Sequence, residues 1–474
     1  MPRASNSTVR DGCGWPNRRA LWVMAAIGTV LVVVAAVGLV RGVPWGADHA
    51  TTDPLDPVDI PVSVQEQAWE WQPPEGAEAS SFMPIPSGLV AKLGDGAVAL
   101  DGATGEQTWH YRRDDASLVS LSTTPDEDRL VLSFEVDEDE LEETEAPSEE
   151  LDDLRDLVVL DTETGELLNE QTVKAGESPR FSNNPTVGPA GSVLDLSATE
   201  VHHLTDDARL MWSESSSVEA RSLTDDSAQW AHTDAFRNEI SSAADGIAFA
   251  GQFTVSGGMV VLGSIWSSPE DRHNYQYRIS GVDAGTGETL WEHDWPIGKV
   301  TDYPDPTFTV GEDSVALRLY PEDQGRRLDL ESGEELASDL WPESGGLLDL
   351  TSDGYVALDR EGAHLFDREG ERLHTVDHDG LHQGSGQTVA LSTEEALVAL
   401  RSDPDDSDRR VLTVDEWDSG ERTAQIPVDV VPDRDTRLSA SYEFAAEPSP
   451  YLQQVPGAIA LMDPDNGRIH GFTP

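Results

Sequence analysis

A short motif that recurs along the chain constrains the fold more than any other feature of the sequence. In each copy an apolar, strand-like stretch ends in Asp, Gly follows four residues later, and a second strand-like stretch begins. An Asp side chain accepts hydrogen bonds from backbone N–H groups within a turn, and Gly adopts the positive φ that completes it. Each copy therefore predicts the turn of a β-hairpin, with a structural role for its Asp and Gly. The copies with this spacing are Asp101–Gly105, Asp161–Gly165, Asp283–Gly287, Asp329–Gly333 and the looser Asp463–Gly467.

Degenerate copies at 201–212, 363–373 and 411–423 raise the number of units to eight. The later turns follow one another at intervals of about 40 to 50 residues, which is the length of a four-stranded propeller blade. Other apolar stretches, such as 258–266, supply further strands. We therefore predict an all-β fold, a β-propeller of eight four-stranded antiparallel blades, with seven blades as the alternative.

The propeller is predicted to extend from 64 to 474. The strand-like stretch 64–72 precedes the first full unit, so we expect it to pair with the last blade and close the ring. Trp109 and Trp291 each follow the Asp of a motif by eight residues. A large flat ring at a fixed place in a blade can pack against the neighbouring blade. We interpret these Trp residues as structural rather than catalytic.

The pattern Ala-x-Asp-x-x-Thr-Gly-x-x-x-Trp resembles the tryptophan-docking repeat of quinoprotein-like (PQQ-repeat) β-propellers. The copy at 283–291 lacks only the Ala, and in the copy at 161–169 Asn169 replaces the Trp. The resemblance covers about residues 64 to 474 and implies the fold. One copy matches at every position, through Ala99, Asp101, Thr104, Gly105 and Trp109.

The resemblance implies two kinds of function. The family includes pyrroloquinoline-quinone dehydrogenases and also non-enzymatic scaffolds, among them the β-propeller lipoprotein of the bacterial outer-membrane protein assembly machine. The dehydrogenases typically have adjacent cysteines near the cofactor, whereas the only cysteine here is Cys13. We therefore expect a membrane-anchored bacterial member that is not an enzyme, with no catalytic or cofactor-binding residues and with neither pyrroloquinoline quinone nor calcium bound. The alternative is a dehydrogenase-like redox enzyme or a small-ligand sensor.

An uncharged apolar run of 21 residues, 20–40, is long enough to cross a bilayer core of about 30 Å as a helix. Arg18 and Arg19 precede it, which favours a cytoplasmic tail at 1–19 and a propeller outside the cell membrane. We predict an uncleaved signal anchor, with a cleaved signal peptide as its rival. The Pro-rich segment 41–63 is predicted to be a linker without a core. Cys13 lies before the run, which excludes a lipoprotein.

The charge is strongly negative, with 90 Asp and Glu against 31 Lys and Arg. Such a surface repels nucleic acid and anionic lipid, and it attracts cations and basic proteins. Solubility at high salt, as in a halophilic organism, explains the acidity more simply than a dedicated cation site does. The segment 135–156 is nearly all acidic, so we expect a disordered insertion there.

One cluster has the residue types of a divalent metal site: His374, His378 and His382 recur every four residues, with Asp377 between them. On a helix this spacing would line one face. The surrounding pattern indicates a strand, where residues four apart are separated by about 13 Å. We therefore treat these residues as weak candidates and predict no metal site.

The function predicted from the sequence is a membrane-anchored, extracytoplasmic binding scaffold. A propeller displays many loops around one axis, which suits protein recognition or ligand capture. The expected partner is an extracytoplasmic or envelope protein.

Overall fold

The computed structural model describes most of the chain from Ala47 onwards. Residues 48–474 belong to one compact unit. The described residues are 47–55, 57–114, 116–136, 154–174, 203–213, 217–233, 252–268, 271–298, 307–319, 324–338, 340, 346–351, 353–359, 361–377, 390–403, 406, 409–430, 451–463 and 466–474.

The described strands form eight antiparallel sheets, each of which is one blade. Within a blade the strands follow one another as a meander, and at six of the eight boundaries the first strands of the two neighbouring blades are in contact. The prediction of eight four-stranded blades is confirmed, and the alternative of seven is wrong.

The strand bounds follow the chain. Blades 1 and 2 contain β3 (Ala79–Ile85), β4 (Gly88–Leu93), β5 (Gly96–Asp101), β6 (Gln107–Arg113), and β7 (Leu118–Thr123), β8 (Arg129–Glu135), β9 (Leu154–Asp161), β10 (Leu167–Lys174). Blades 3 and 4 contain β11 (His203–Leu204), β12 (Ala208–Ser213), β13 (Ser217–Ser222), β14 (Ala228–His232), and β15 (Gln252–Ser256), β16 (Met259–Ser268), β17 (Asp271–Asp283), β18 (Thr289–Gly298). Blades 5 and 6 contain β19 (Thr307–Val310), β20 (Ser314–Leu319), β21 (Gln324–Asp329), β22 (Glu335–Ser338), and β23 (Gly346–Thr351), β24 (Gly354–Leu358), β25 (Gly362–Asp367), β26 (Arg372–Asp377). Blade 7 contains β27 (Ala390–Ser392), β28 (Ala396–Ser402), β29 (Arg410–Glu416) and β30 (Arg422–Val428), and blade 8 contains β31 (Tyr451–Val455), β32 (Ala458–Asp463), β33 (Arg468–Thr473) and β2 (Glu66–Trp71). One further strand, β1 (Ala47–Ala50), lies at the outer edge of blade 1.

Burial explains why the middle strands are continuous apolar runs. All six residues of β4 are buried, as are all six of β32, because both faces of a middle strand are covered by neighbouring blades. In the outer strand β6 every second residue, from Trp109 to Arg113, is buried, while the residues between them are only partly buried. The core is therefore a set of interfaces between blades.

The ring closes by pairing the two ends of the propeller sequence. Strand β2 is antiparallel to β33, with Trp69 opposite Gly471 and Trp71 opposite Ile469. The predicted closing strand is thus confirmed. Because this pairing joins both ends of the propeller sequence in one blade, blade 8 is complete and the ring has no gap where its ends meet.

The segment predicted to be a linker packs on the propeller from Ala47 onwards. We call residues 47–64 the strap. Its strand β1 adds a fifth strand to blade 1, beside β6. At the neighbouring blade, the His49 ring donates to the Gly165 carbonyl at 2.7 Å and Thr52 N donates to the Thr164 carbonyl at 3.0 Å.

The other end of the strap is bound to blades 7 and 8. Gly457 N donates to the Asp59 carbonyl at 2.9 Å, and the Gln454 amide donates to the Pro61 carbonyl at 3.0 Å. Val64 is fully buried among apolar side chains of these blades. The described residues of the predicted linker, 47–55 and 57–63, thus contact the propeller: proline cannot donate a backbone hydrogen bond, but the carbonyls of an extended segment still accept hydrogen bonds. Residues 41–46 lie outside the described residues.

Two further expectations fall partly or wholly outside the described residues. The acidic insertion is shorter than 135–156, because Glu135 ends β8 and Leu154 begins β9; residues 137–153 are not described. The apolar run 20–40 is not described either. Among the residues that are described, none belongs to a helix of the length and hydropathy needed to cross a membrane.

We expect Val64→Ala to lower the free energy of unfolding by about 1–3 kcal/mol, because it leaves a cavity between blades 7 and 8. Urea unfolding followed by tryptophan fluorescence measures this change. Ile60→Ala is the matched control, since Ile60 lies on the same strap and is 54% exposed; its effect should stay below about 0.5 kcal/mol. Equal effects of the two substitutions would contradict a buried anchor at Val64.

Candidate functional site

Four of the five copies with Asp and Gly four residues apart form the turn between the third and fourth strands of a blade: those of blades 1, 2, 4 and 5. In blade 1 the Asp101 carboxylate accepts hydrogen bonds from Thr104 N at 2.8 Å and Thr104 Oγ1 at 2.7 Å. Gly105 has a φ of 69°, which a side chain would strain. These residues shape the turn, as the sequence indicated.

The docking Trp residues join each of these turns to the preceding blade. Trp109 of β6 is fully buried, and its Nε1–H donates to the Thr162 carbonyl at 2.9 Å. Its ring covers Gly165 so closely that a Cβ atom there would lie 2.7 Å from the ring. Gly is thus required twice, for its φ and for the space above it. The same hydrogen bond joins Trp69 to Gly102, Trp230 to Ala284 and Trp291 to Leu330.

Blade 2 makes this contact without an aromatic ring. Asn169 occupies the docking position, and its amide donates to the Leu223 carbonyl at 2.8 Å and to the Thr224 carbonyl at 2.9 Å. Leu223 is the residue after the turn's first residue, as Thr162 is in blade 2. The hydrogen bond is therefore kept where the ring is lost.

A histidine supports the same turns in three places. His232 of β14 and His293 of β18 lie two residues after a docking Trp, and their rings bond the carbonyls of Gly287 at 3.1 Å and Gly333 at 2.8 Å. Blade 1 has Tyr111 at this position. The equivalent hydrogen bond to the turn of blade 2, at the Gly165 carbonyl, comes from His49 of the strap. Burial lowers the pKa of His49, so the ring is neutral at neutral pH and donates through one nitrogen.

Two of the eight motifs form a different hairpin turn of their blade. The copy at 201–212 is the turn between β11 and β12, and Trp212 lies in β12. The equivalent turn of blade 3 runs from Ser222 to Asp226, with Asp226 at a φ of 54° in place of Gly. The sequence signal for it was Trp230, eight residues after Ser222.

Asp463–Gly467 likewise joins the second and third strands of blade 8, β32 and β33. The docking residue of this blade is Trp69, which comes from the other end of the propeller sequence. No spacing within 460–472 could indicate it.

Blades 5, 6 and 7 have Ala337, His374 and Ala424 at the docking position. Other side chains fill the space. Tyr355 stacks on Phe366 at a ring distance of 4.6 Å beside Ala337. Trp417 of blade 7 is buried against blade 6, and Val64 of the strap is buried between blades 7 and 8.

The structure describes two of the four candidate metal ligands, His374 and Asp377. His374 lies on β26, a strand rather than a helix, and its Nε2 is 3.4 Å from an Asp418 carboxylate oxygen of the next blade. Asp377 ends the same strand and is exposed. His378 and His382 lie outside the described residues. His374 thus serves at a boundary between blades, in the place of a docking Trp.

A second group with metal-binding residue types, Asp359, Glu361 and His364, lies at the turn before β25. The Asp359 carboxylate accepts from His364 Nε2 at 2.8 Å and from the backbone N–H of Glu361 and Gly362 at 2.7 and 3.1 Å. Burial opposes its ionisation, but the hydrogen bond from His364 and those from the backbone hold the pKa of Asp359 below its usual value. The carboxylate already has its donors, so this arrangement is a turn cap.

Carboxylates recur at one end of the ring. Each blade is an antiparallel meander, so all turns between third and fourth strands lie at the same end. In six blades the residue after the turn glycine is Glu, and five of these six are exposed. We call this set the acidic rim: Glu106, Glu166, Glu288, Glu334, Glu371 and Glu421.

No protein-family model and no curated protein sequence matches the chain. Solved propeller structures are similar in fold. The crystal structure of BamB from Moraxella catarrhalis is 14% identical, with 87% of this chain and 100% of that chain covered and a TM-score of 0.47. Hsv2 of Kluyveromyces lactis is 8% identical, with coverage of 76% and 99% and a TM-score of 0.38. The β-propeller domain of the Trilobed protease from Pyrococcus furiosus is 10% identical, with coverage of 74% and 97% and a TM-score of 0.37.

We expect Trp291→Ala to lower the free energy of unfolding by about 3–5 kcal/mol, because it removes a buried ring and leaves the Leu330 carbonyl without its donor. Urea unfolding measures the loss. Leu290→Ala is the control, since Leu290 is the preceding residue and is 51% exposed. A loss below about 1 kcal/mol for Trp291→Ala would contradict docking as a main source of stability.

Proposed function

We propose that this chain is a membrane-anchored, extracytoplasmic scaffold that binds a basic protein partner through the acidic rim. The observation that carries the proposal is the repetition of Glu at one position of the turn in six blades. A rigid ring that holds carboxylates at fixed positions presents a charge pattern that a cationic surface can match.

The turns that carry the rim are rigid for reasons already given. In blade 1 the turn closes through Asp101 N and the Glu106 carbonyl at 2.9 Å, and the same bond recurs at Asp283 with Glu288 and at Asp329 with Glu334. The backbone of these three Glu residues is thus fixed while their side chains are exposed. Little conformational entropy of the backbone would be lost when a partner binds.

The tether to the proposed membrane anchor is short. The strap begins at Ala47, so only residues 41–46 separate it from the apolar run 20–40. Six extended residues span at most about 20 Å. This length supports a scaffold that acts on partners at the membrane surface rather than far from it.

Membrane placement is tested with the full chain carrying a C-terminal epitope. We expect the chain to sediment with membranes and to lose the epitope when protease is added to intact cells, while a cytoplasmic marker survives. A variant without residues 20–40 should leave the membrane fraction. An epitope that is protected until the membrane is dissolved would overturn the extracytoplasmic placement.

Partner binding is tested by affinity purification of the full chain from mildly solubilised membranes at low salt. A rim variant with Glu106, Glu288, Glu334 and Glu421 changed to Gln should enrich the partner at least about tenfold less, and added salt should have the same effect. The control removes four exposed carboxylates at the other end of the ring: Glu75→Gln, Glu78→Gln, Asp114→Asn and Asp377→Asn. Equal enrichment by all three proteins would overturn the role of the rim.

A further inference from the structure

We propose that the turn cap of blade 6 also binds a divalent transition-metal ion, such as Zn²⁺, through Asp359, Glu361 and His364. Two carboxylates and one imidazole are ligand types that zinc takes in proteins. The turn joins β24 to β25, the second and third strands of the blade, so it lies at the end of the ring opposite to the acidic rim. The inference is therefore independent of the proposed partner site.

The three ligand atoms are already close together. One ligand atom from each side chain lies within 4.8 Å of the other two, and among the described residues this is the only such group of three. Around a tetrahedral zinc ion with bonds of about 2.1 Å, neighbouring ligand atoms are about 3.4 Å apart. Glu361 is exposed, so its side chain can close this difference without disturbing the packing of the blade.

The cap leaves part of the Asp359 carboxylate unused. Its three donors, the backbone N–H groups of Glu361 and Gly362 and the His364 ring, all converge on Oδ1. In the described part of the chain, Oδ2 has no hydrogen-bond partner. Although burial opposes ionisation, the hydrogen bonds hold the pKa of Asp359 below its usual value, so the carboxylate is charged at neutral pH, as a metal ligand must be.

His364 is held in place through its other ring nitrogen. The side chain is 1% exposed, and Nδ1 is 3.0 Å from Oγ1 of Thr375, which lies opposite His364 in the strand register. A hydroxyl can donate or accept a hydrogen bond. When an ion replaces the proton on Nε2, that proton moves to Nδ1 and is donated to Thr375. Metal-binding histidines usually have such a partner on their second nitrogen.

The imidazole gives the site its selectivity. The chain has 90 Asp and Glu, so its surface attracts divalent cations of every kind. Mg²⁺ and Ca²⁺ prefer oxygen ligands, whereas Zn²⁺ and Co²⁺ also bind imidazole. A buried imidazole beside two carboxylates therefore selects a transition-metal ion over the cations that exposed carboxylates attract. Three protein ligands leave one position of a tetrahedral ion open to water.

The test titrates the full chain in detergent with Co²⁺, which reports its coordination through visible absorption. A large excess of Mg²⁺ and about 1 M NaCl are present to occupy and screen the surface carboxylates. We expect Co²⁺ to produce a saturable absorption band that added Zn²⁺ removes. No band, or a band that Mg²⁺ removes, would overturn the proposal.

Variants assign the band to this turn. Glu361→Gln should weaken Co²⁺ binding at least about tenfold, because it removes a ligand but keeps the backbone N–H that caps the turn. Thr375→Val should weaken it about tenfold through the loss of the partner at Nδ1. The control is Glu369→Gln, which removes an exposed carboxylate from another turn of the same blade and should change nothing.

His364→Gln should abolish the band, and near-ultraviolet circular dichroism shows whether this variant keeps its fold. Glu361→Gln carries the test if it does not, since the exposed Glu361 side chain makes no packing contact that folding needs. Equal Co²⁺ affinities of Glu361→Gln and Glu369→Gln would assign the ion to general surface charge and overturn the proposal. Partner enrichment through the rim is measured independently, so that result stands whichever way this test falls.

Discussion

The ring depends on one contact, the placement of an indole ring over a glycine in the turn of the next blade. The contact combines three requirements: a left-handed backbone that favours Gly, a flat surface with no Cβ beneath the ring, and a carbonyl one residue after the start of the turn. Trp109 over Gly165 satisfies all three. Each such contact joins two blades, and the described chain makes it at four of the eight boundaries between blades.

The departures from this contact are as informative as its copies. At Asn169 the hydrogen bond is present although the aromatic ring is absent. The boundary at Ala337 has neither the ring nor the hydrogen bond, and Tyr355 of the following blade fills the space. Close packing explains the pattern: a boundary between blades tolerates a different donor or a different filler, but not an empty space. The side chain that fills a boundary can come from either blade or from the strap.

The sequence predicted the repeat, the blade number and the closing strand because each has a local or periodic signature. A turn that needs Asp and Gly is visible wherever both residues are present. The docking turn of blade 3 was not predicted, because Ser222 and Asp226 perform the same backbone tasks with different side chains. The strap was not predicted, since backbone carbonyls make most of its polar contacts and every residue type has one. The docking positions of the fourth strands, such as Asn169 of β10, can be assigned only once the register of those strands is known.

The pairing of β2 with β33 has a consequence for biogenesis. Gln67 and His470 are 403 residues apart in sequence and hydrogen-bonded in the folded chain. Blade 8 therefore cannot form until synthesis reaches the last strand, although β2 is made among the first. The strap has the same dependence, since Val64 needs blades 7 and 8 to be buried. Contacts of such long range close slowly, so the nascent chain must keep β2 soluble and unpaired for most of its synthesis. The dense negative charge of the chain, whatever its role in the folded state, would help to keep this waiting strand from pairing with other chains.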